Sequence, residues 1–503
     1  MLEGIYSSKD RINLYIMEKQ NFLLKFASKN VKVQSLTFSK GVILWALLAF
    51  AYLIFVMNWG FASAGLNGKA GLQVNGYLGY LGHFFPDASD APSSVVNRAV
   101  DWGITIGRAI GSILVGWLIV KVSHKYAVII SLVFMLFGIA APYSPSYAGF
   151  IILRTILAIG GTMQIVLLQP VVARYMNQRQ KALFSKLSPF FYPIGTIITL
   201  LPFVVGEKIK VEIQGQWQTI FLVISLLTLI PLIGYIILGA KFDLYPDAIA
   251  ARQTAEPLSL FKFFKQKDTW VWALLYGSWL IAVVFPFALS KPLFHRFIGD
   301  TTNSYEEQIN VFIIVFLAGM FVGPFTVGLI SQYQLKRRAF IAGVIGFGVL
   351  MYILATITFI KGVATEVPGQ YGGYSALFLI LGLVMGTCLW GIQGVLLNLP
   401  HEYKGANPRK IGYQFGLIWG LGYAFWTIAN IITGLVSTPP GVDIKTDASA
   451  SSNFATGAYV LVIIFSLLAV GAIFLLKEPN PSYPSLAKIL VQRKFSEIVK
   501  ISK

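Results

Sequence analysis

Twelve apolar stretches, each near the ~20 residues that a membrane-crossing helix needs, follow one another along this chain. They lie at roughly 41–64, 98–120, 126–143, 147–174, 183–205, 217–239, 269–294, 309–332, 338–360, 373–399, 412–436 and 456–476, and are numbered spans 1–12 below. Charged residues make up only 12% of the 503, compared with about 25% in soluble globular domains. Mean hydropathy is +0.69. The expected fold class is therefore an all-α membrane protein, whose unit is the span and not the globular domain. Span 1 begins only at residue 41, behind a basic polar stretch, which does not fit a cleavable signal peptide. The single cysteine, Cys388, excludes an internal disulfide and a thiolate metal site.

The net charge of +19 suggests nucleic acid until the charges are placed. They border the spans and form no patch with interleaved aromatics, so no nucleic-acid partner is expected. If the N-terminus is cytoplasmic, seven inner segments hold 30 of the 40 Lys and Arg residues, and the outer segments hold 7. This asymmetry fits the positive-inside rule with both termini inside, in a cell membrane. The last stretch, Ser485 to Lys503, sets six apolar residues against five basic ones, a pattern for a basic helix lying on the inner leaflet.

The chain also repeats itself. Gly107, Gly111 and Gly116 recur 212 residues later as Gly319, Gly323 and Gly328. Each triplet runs into a basic turn, Lys121, His124 and Lys125 in one copy and Lys336, Arg337 and Arg338 in the other. In span 4, Gln164-Ile-Val-Leu-Leu-Gln169-Pro170 is matched in span 10 by Gln393-Gly-Val-Leu-Leu-Asn398-Leu-Pro400. Span order is kept, so the halves are parallel six-span repeats, an arrangement of transporters with a central site. The expected organisation is a cytoplasmic segment 1–40, a six-helix bundle 41–240, a cytoplasmic linker 241–268, a second bundle 269–477 and a basic tail 478–503. Small residues let helices approach closely in lipid, which explains the glycines.

These features resemble the major facilitator superfamily, over residues from about 40 to 477. The family's signature between its second and third spans is a glycine, an acidic residue four positions on, and a basic turn. Here Gly116, Lys121, His124 and Lys125 occupy that place, and Gly328, Lys336, Arg337 and Arg338 form the later copy. The acidic position is Val120 in one and Gln332 in the other. Arg154 followed by Gly160 resembles the family's arginine-then-glycine motif in span 4. The resemblance implies twelve helices, alternating access, and a cavity lined by spans 1, 4, 7 and 10 with 2, 5, 8 and 11 beside them. It also implies coupling or gating roles for Gly116, Lys121, Lys125, Gly328, Lys336 and Arg337.

Intramembrane charge is the strongest functional signal. Arg108 lies near the middle of span 2, where a charge costs at least ~2.5–3.5 kcal/mol and so needs a cavity or a partner. Its repeat-equivalent is Met320, so one half alone carries it. Asp101, seven residues earlier on the same helical face, is the candidate partner and the one acid expected within the spans. Arg154 sits in the outer half of span 4, and Lys291 closes span 7, either snorkelling outward or facing the cavity mouth. Amides and aromatics near mid-membrane complete a candidate lining: Tyr52, Asn58, Gln164, Tyr192, Tyr276, Trp279, Trp390, Gln393, Trp419 and Tyr423. Amides can bond hydroxyls or phosphate oxygens, and aromatic faces can pack on a ring.

The four histidines are scattered, with no zinc-ligand spacing, and no phosphate-binding loop is visible, so neither an enzyme nor a cofactor is expected. The expected activity is alternating-access transport by a monomer of a small organic solute. The net basic interior favours an organic anion, such as a phosphorylated sugar or carboxylate. Alternatives are a neutral sugar or nucleoside, a drug, proton coupling through Asp101, or a transporter-like sensor.

Overall fold

The computed structural model describes residues 31–492, apart from 32, 34, 66–78, 87–93, 178–179, 181–183, 185–186, 188–189, 204–206, 249–262, 289, 301–303, 404–407 and 439–447. Every element among the described residues is a helix. Eleven helices are long and apolar enough to cross a membrane, and Phe191–Phe203 is a shorter apolar one. Together they occupy the twelve expected places. Span 5 differs most, because its described helix is only Phe191–Leu200 with a 3-10 turn to Phe203. Residues 493–503 of the expected basic tail helix lie outside the described residues; Leu486–Gln492 is helical.

Apolar surface sorts the helices by position. Span 7, Lys267–Ala288, is 83% buried over its apolar stretch, whereas span 12, within Ser449–Leu475, is 33% buried. Ile233, Ile237, Phe347, Ile357, Leu467 and Leu475 lie exposed on spans 6, 9 and 12. Large apolar side chains pointing outward from three helices suit a lipid-facing perimeter.

Packing repeats between the halves. In the first, Ala99–Val122 (span 2) and His124–Ala140 (span 3) both pack on Tyr147–Tyr175 (span 4). In the second, Glu306–Val322 (span 8) and Arg338–Lys361 (span 9) both pack on Gly373–Gly391 (span 10). A Cβ on Gly107 would collide with the Thr155 carbonyl, and one on Gly319 with that of Leu383. Gly111 and Gly323 meet the Ile159 and Thr387 carbonyls in the same way. The third glycines differ. A Cβ on Gly116 would meet nothing within 4 Å, while one on Gly328 would lie 3.3 Å from the Gly391 carbonyl oxygen. Close helix approach therefore accounts for four of the six repeated glycines and leaves Gly116 without a packing reason.

Two seams join the halves. Span 2 lies along Pro408–Ser437 (span 11), and span 5 touches span 8. Along the first seam Thr105 and Thr427 share a hydroxyl bond of 2.6 Å, and Gly420 and Gly416 face the carbonyls of Ala109 and Ser112. Span 1, Phe38–Gly60, packs broadly on span 4, but span 7 touches span 10 only lightly and lies along spans 11 and 12. The two halves are thus alike in their outer packing and unlike at the centre.

Candidate functional site

At mid-membrane, aromatic rings from both halves form a closed circuit with one cation in it. Trp59 of span 1 meets Tyr192 of span 5 at 5.8 Å. Tyr192 stacks on Trp390 of span 10 at 5.2 Å and 20°. Trp390 lies 6.0 Å from Trp279 of span 7, and Trp279 6.5 Å from Trp419 of span 11. Trp419 lies 5.5 Å from Tyr423 one turn on. The Arg108 guanidinium then sits 4.4 Å above the Tyr423 ring and 5.3 Å from that of Trp59, which closes the circuit. Offset, stacked and edge contacts at these separations are favourable ring geometries.

Arg108 is 4% exposed. Its Nη2 donates to the Tyr52 hydroxyl at 3.3 Å, and Phe55 adds a third ring face at 5.3 Å. Nε and Nη1 have no hydrogen-bond partner among the described residues. The expected pair with Asp101 is not made. The Asp101 carboxylate instead accepts the Trp59 indole N–H at 2.9 Å. Asp101 is a full two turns from Arg108, and the Trp59 ring lies between their roles: it covers the cation with its face and binds the acid with its edge. A cation on aromatic faces gains ~0.5–2 kcal/mol from each contact, which offsets burial without neutralising the charge.

The remaining predicted lining residues separate into two groups. Tyr276 and Trp279 belong with the ring. Their Oη and Nε1 donate to the Leu396 and Leu389 carbonyls at 2.7 and 2.6 Å, where span 10 breaks between Gly391 and Gln393–Asn398. Gln393 follows that break with its Oε1 unpartnered among the described residues, as is the Trp390 Nε1. Asn58, Arg154 and Gln164 turn into the first bundle instead. Arg154 is 1% exposed, donates to the Asn58 carbonyl at 3.1 Å, and lies between Phe150 and Phe221 at 5.3 and 5.1 Å. The Asn58 amide donates to the Ile54 carbonyl and its Oδ1 accepts from Ser225 of span 6. Gln164 donates to Ser131 of span 3 at 2.6 Å. The two glutamines therefore have different surroundings, and the cavity-lining expectation for Asn58, Arg154 and Gln164 is corrected to a place between spans 1, 3, 4 and 6. Trp59, a member of the circuit, and Phe55, which covers Arg108, are aromatic residues outside the expected lining.

The basic turns carry a second repeated feature. Asp243, just past span 6, accepts the His124 backbone N–H that opens span 3. Glu478, just past span 12, accepts the N–H groups of Arg337 and Arg338 that open span 9. A carboxylate at a helix N-terminus satisfies orphan donors and favours the dipole. The fully buried Arg337 also donates through Nε to Glu402 at 2.9 Å and through Nη1 and Nη2 to the Ile330 and Tyr333 carbonyls. Burial pushes the Glu402 carboxyl up, and the Arg337 bond opposes this. Acids beyond spans 6, 10 and 12 thus anchor the turns in which the family signature has its acid at the end of the second span. Lys125 Nζ donates to the Ile236 carbonyl, Lys336 N–H to that of Pro484, and Lys121 ends span 2 partly exposed.

At the opposite end, span 8 begins at Glu306, slightly before the expected boundary of 309. Glu306 binds Lys291 of the second half at 2.7 Å and Lys210 of the first at 2.9 Å. Asp101 is therefore not the only acid associated with a span; Lys291 pairs with Glu306 within the second half, and the Lys210–Glu306 pair crosses the halves. Arg98 donates to Ser437 nearby at 3.3 Å, between spans 2 and 11.

The comparisons agree with this architecture. A family model described as a Mycoplasma MFS transporter matches residues 150–438. An uncharacterised protein of Mesomycoplasma hyopneumoniae is 64% identical over 491 residues, covering 96% of this chain and 100% of its own. A major facilitator superfamily transporter of Mycoplasma pneumoniae is 24% identical, covering 88% of this chain and 93% of its own. Among solved structures, a D-xylose–proton symporter aligns with TM-score 0.60 at 14% identity, over 87% of this chain and 98% of its own. A nucleoside transporter aligns with TM-score 0.55 at 14% identity, over 86% and 99%. With two six-helix halves around one buried ring, and with the family model matching more than half of its length, the chain belongs to the Mycoplasma transporters of the major facilitator superfamily.

Proposed function

We propose that this transporter moves a small organic anion across the cell membrane by alternating access, with Arg108 as the group that binds the anion. The observation that carries the reading is a buried guanidinium with ring faces from both halves around it and, among the described residues, no carboxylate beside it and two nitrogens unpartnered; Arg154 shares the unpartnered nitrogens but is enclosed within the first bundle. An uncompensated buried charge is costly, and a ligand of opposite sign removes that cost. A site at the seam is also touched by both halves, so binding can bias the equilibrium between outward- and inward-facing states. In this reading bundles 41–240 and 269–477 rock about the ring as a monomer, with both termini in the cytoplasm. The basic turns at Lys121, Lys125, Lys336 and Arg337 stay on the cytoplasmic side. Trp390, Tyr192, Tyr276 and Trp279 form the walls, and Gln393 supplies an acceptor.

A neutral sugar or nucleoside is the second reading, favoured by the solute named for each of the two aligned structures and by the ring-rich lining. Proton coupling has its own observation, the Asp101–Trp59–Arg108 chain, through which protonation of the acid would be felt at the cation. Counterflow in proteoliposomes separates these readings. Among vesicles loaded with different organic anions, carboxylates and sugar phosphates included, at least one is expected to drive uptake of a labelled anion, whereas vesicles loaded with neutral sugars or nucleosides are not. Exchange of neutral solutes alone would replace the anion reading.

A further inference from the structure

The ring around Arg108 restricts the anion beyond its sign. On the reading that Arg108 binds the substrate anion, we infer that the substrate class is a ring-bearing organic monoanion, a carboxylate and not a phosphate monoester, with its ring on the Tyr192–Trp390 stack.

Charge at the centre sets the first restriction. Arg108 is the one cation in the circuit. Arg154 lies inside the first bundle on the Asn58 carbonyl. Lys210 and Lys291 are held on Glu306, and Arg98 and Arg296 both reach Ser437 at the end of span 11. The ring thus presents a single uncompensated positive charge. A carboxylate, ionised well below neutral pH, brings a single negative charge. A phosphate monoester brings about −1.5 to −2 at pH 7 and would leave excess charge among buried aromatic side chains.

Donor geometry agrees. Nη2 gives one N–H to Tyr52, and its second N–H lies beside a nitrogen with no partner. This leaves a two-pronged edge, the shape that a carboxylate accepts in a planar pair.

The ring requirement follows from span 10. Tyr192 and Trp390 come from opposite halves and lie nearly parallel at 5.2 Å. A planar ligand can extend or replace such a stack with little loss. Two orphaned buried atoms on the same span, Trp390 Nε1 and Gln393 Oε1, ask for an acceptor and a donor on the far side of the ligand. Leaving them unmade costs ~1–3 kcal/mol each, so a ring carrying a hydroxyl or ring nitrogen gains more here than a bare chain does.

Calorimetric titration of the purified full-length transporter tests this with defined probes: ring monocarboxylates (benzoate, 4-hydroxybenzoate, nicotinate), 4-hydroxybenzamide, acetate and glucose 6-phosphate. At least one ring monocarboxylate is expected to bind about tenfold or more tighter than the amide, acetate and the sugar phosphate. Trp390→Leu should remove the advantage over acetate and keep the preference for acid over amide; Arg108→Gln should remove that preference. Glucose 6-phosphate binding as tightly as the ring acids, with dependence on Arg108, would overturn the inference and leave the anion reading standing. Amide binding equal to acid binding in the unmodified protein would overturn both. Binding of none of the probes would overturn the inference, provided that unfolding on heating stays cooperative.

Discussion

Two buried arginines in the first half show how one residue type serves different ends. Arg108 is covered by rings at a seam between halves, with two nitrogens unpartnered. Arg154 also has two nitrogens unpartnered among the described residues, Nε and Nη2, but it is enclosed within one bundle by the Asn58 carbonyl and two phenylalanines. Arg154→Gln is therefore expected to lower stability in detergent by ~1.5–3 kcal/mol, the scale of a buried charged hydrogen bond, and to leave relative substrate preference unchanged. Thermal unfolding and competition uptake on the same preparation check this; altered preference at unaltered stability would move Arg154 into the site. Arg108 is legible from sequence because a mid-span charge is costly and its repeat position holds Met320. Arg154, Asn58 and Gln164 are not separable from it by residue type, since the direction each faces is set by which neighbour its helix packs on. Trp59 escapes notice for a related reason: an indole is ordinary in a span, and only its contacts with Asp101 and Arg108 give it meaning.

Helix ends carry most of the polar structure outside the ring. Glu306 ties the second half to the first through Lys210, and pairs with Lys291 within its own half. A pair this shielded contributes about 1 kcal/mol, roughly a fivefold change in a two-state ratio. Glu306→Gln is accordingly expected to raise, by roughly fivefold, the labelling rate of a cysteine placed at Thr427, with Cys388 replaced. Lys210→Gln should raise the rate to a similar extent, because the Lys210–Glu306 pair is the one that joins the halves. An unchanged rate in either variant would show that the link does not hold this end closed. At the basic turns, Arg337→Ala would strand Glu402 in a buried place and is expected to cost ~3–5 kcal/mol of stability, measured by thermal unfolding, against little change for Lys121→Ala. The spans themselves are legible as apolar runs, but their ends are not. Glu306 falls just outside a boundary drawn from hydropathy, and the caps Asp243 and Glu478 act across more than a hundred residues of chain, where no local pattern reports them.

At the scale of the molecule, two like bundles meet along span 2 with span 11 and span 5 with span 8, and their centres differ. The repeat is legible in sequence because glycines that touch backbone cannot be replaced, as at Gly107 and Gly319. The asymmetry at the ring arises from single residues such as Arg108 against Met320. Orientation is tested by impermeant thiol reagents on cysteines at Asp87 and Lys445, in a protein lacking Cys388. Labelling from outside intact cells is expected at both, and labelling from the cytoplasmic face alone would reverse the topology. Everything proposed for the ring rests on Arg108 binding the transported anion. Anion counterflow by Arg108→Gln tests it most directly, beside Arg108→Lys and the parent, in vesicles holding equal amounts of folded protein. Flux is expected to be lost with Gln and partial with Lys, whose ammonium keeps the charge without the planar fork. Anion flux by Arg108→Gln at the affinity and rate of the parent would contradict it.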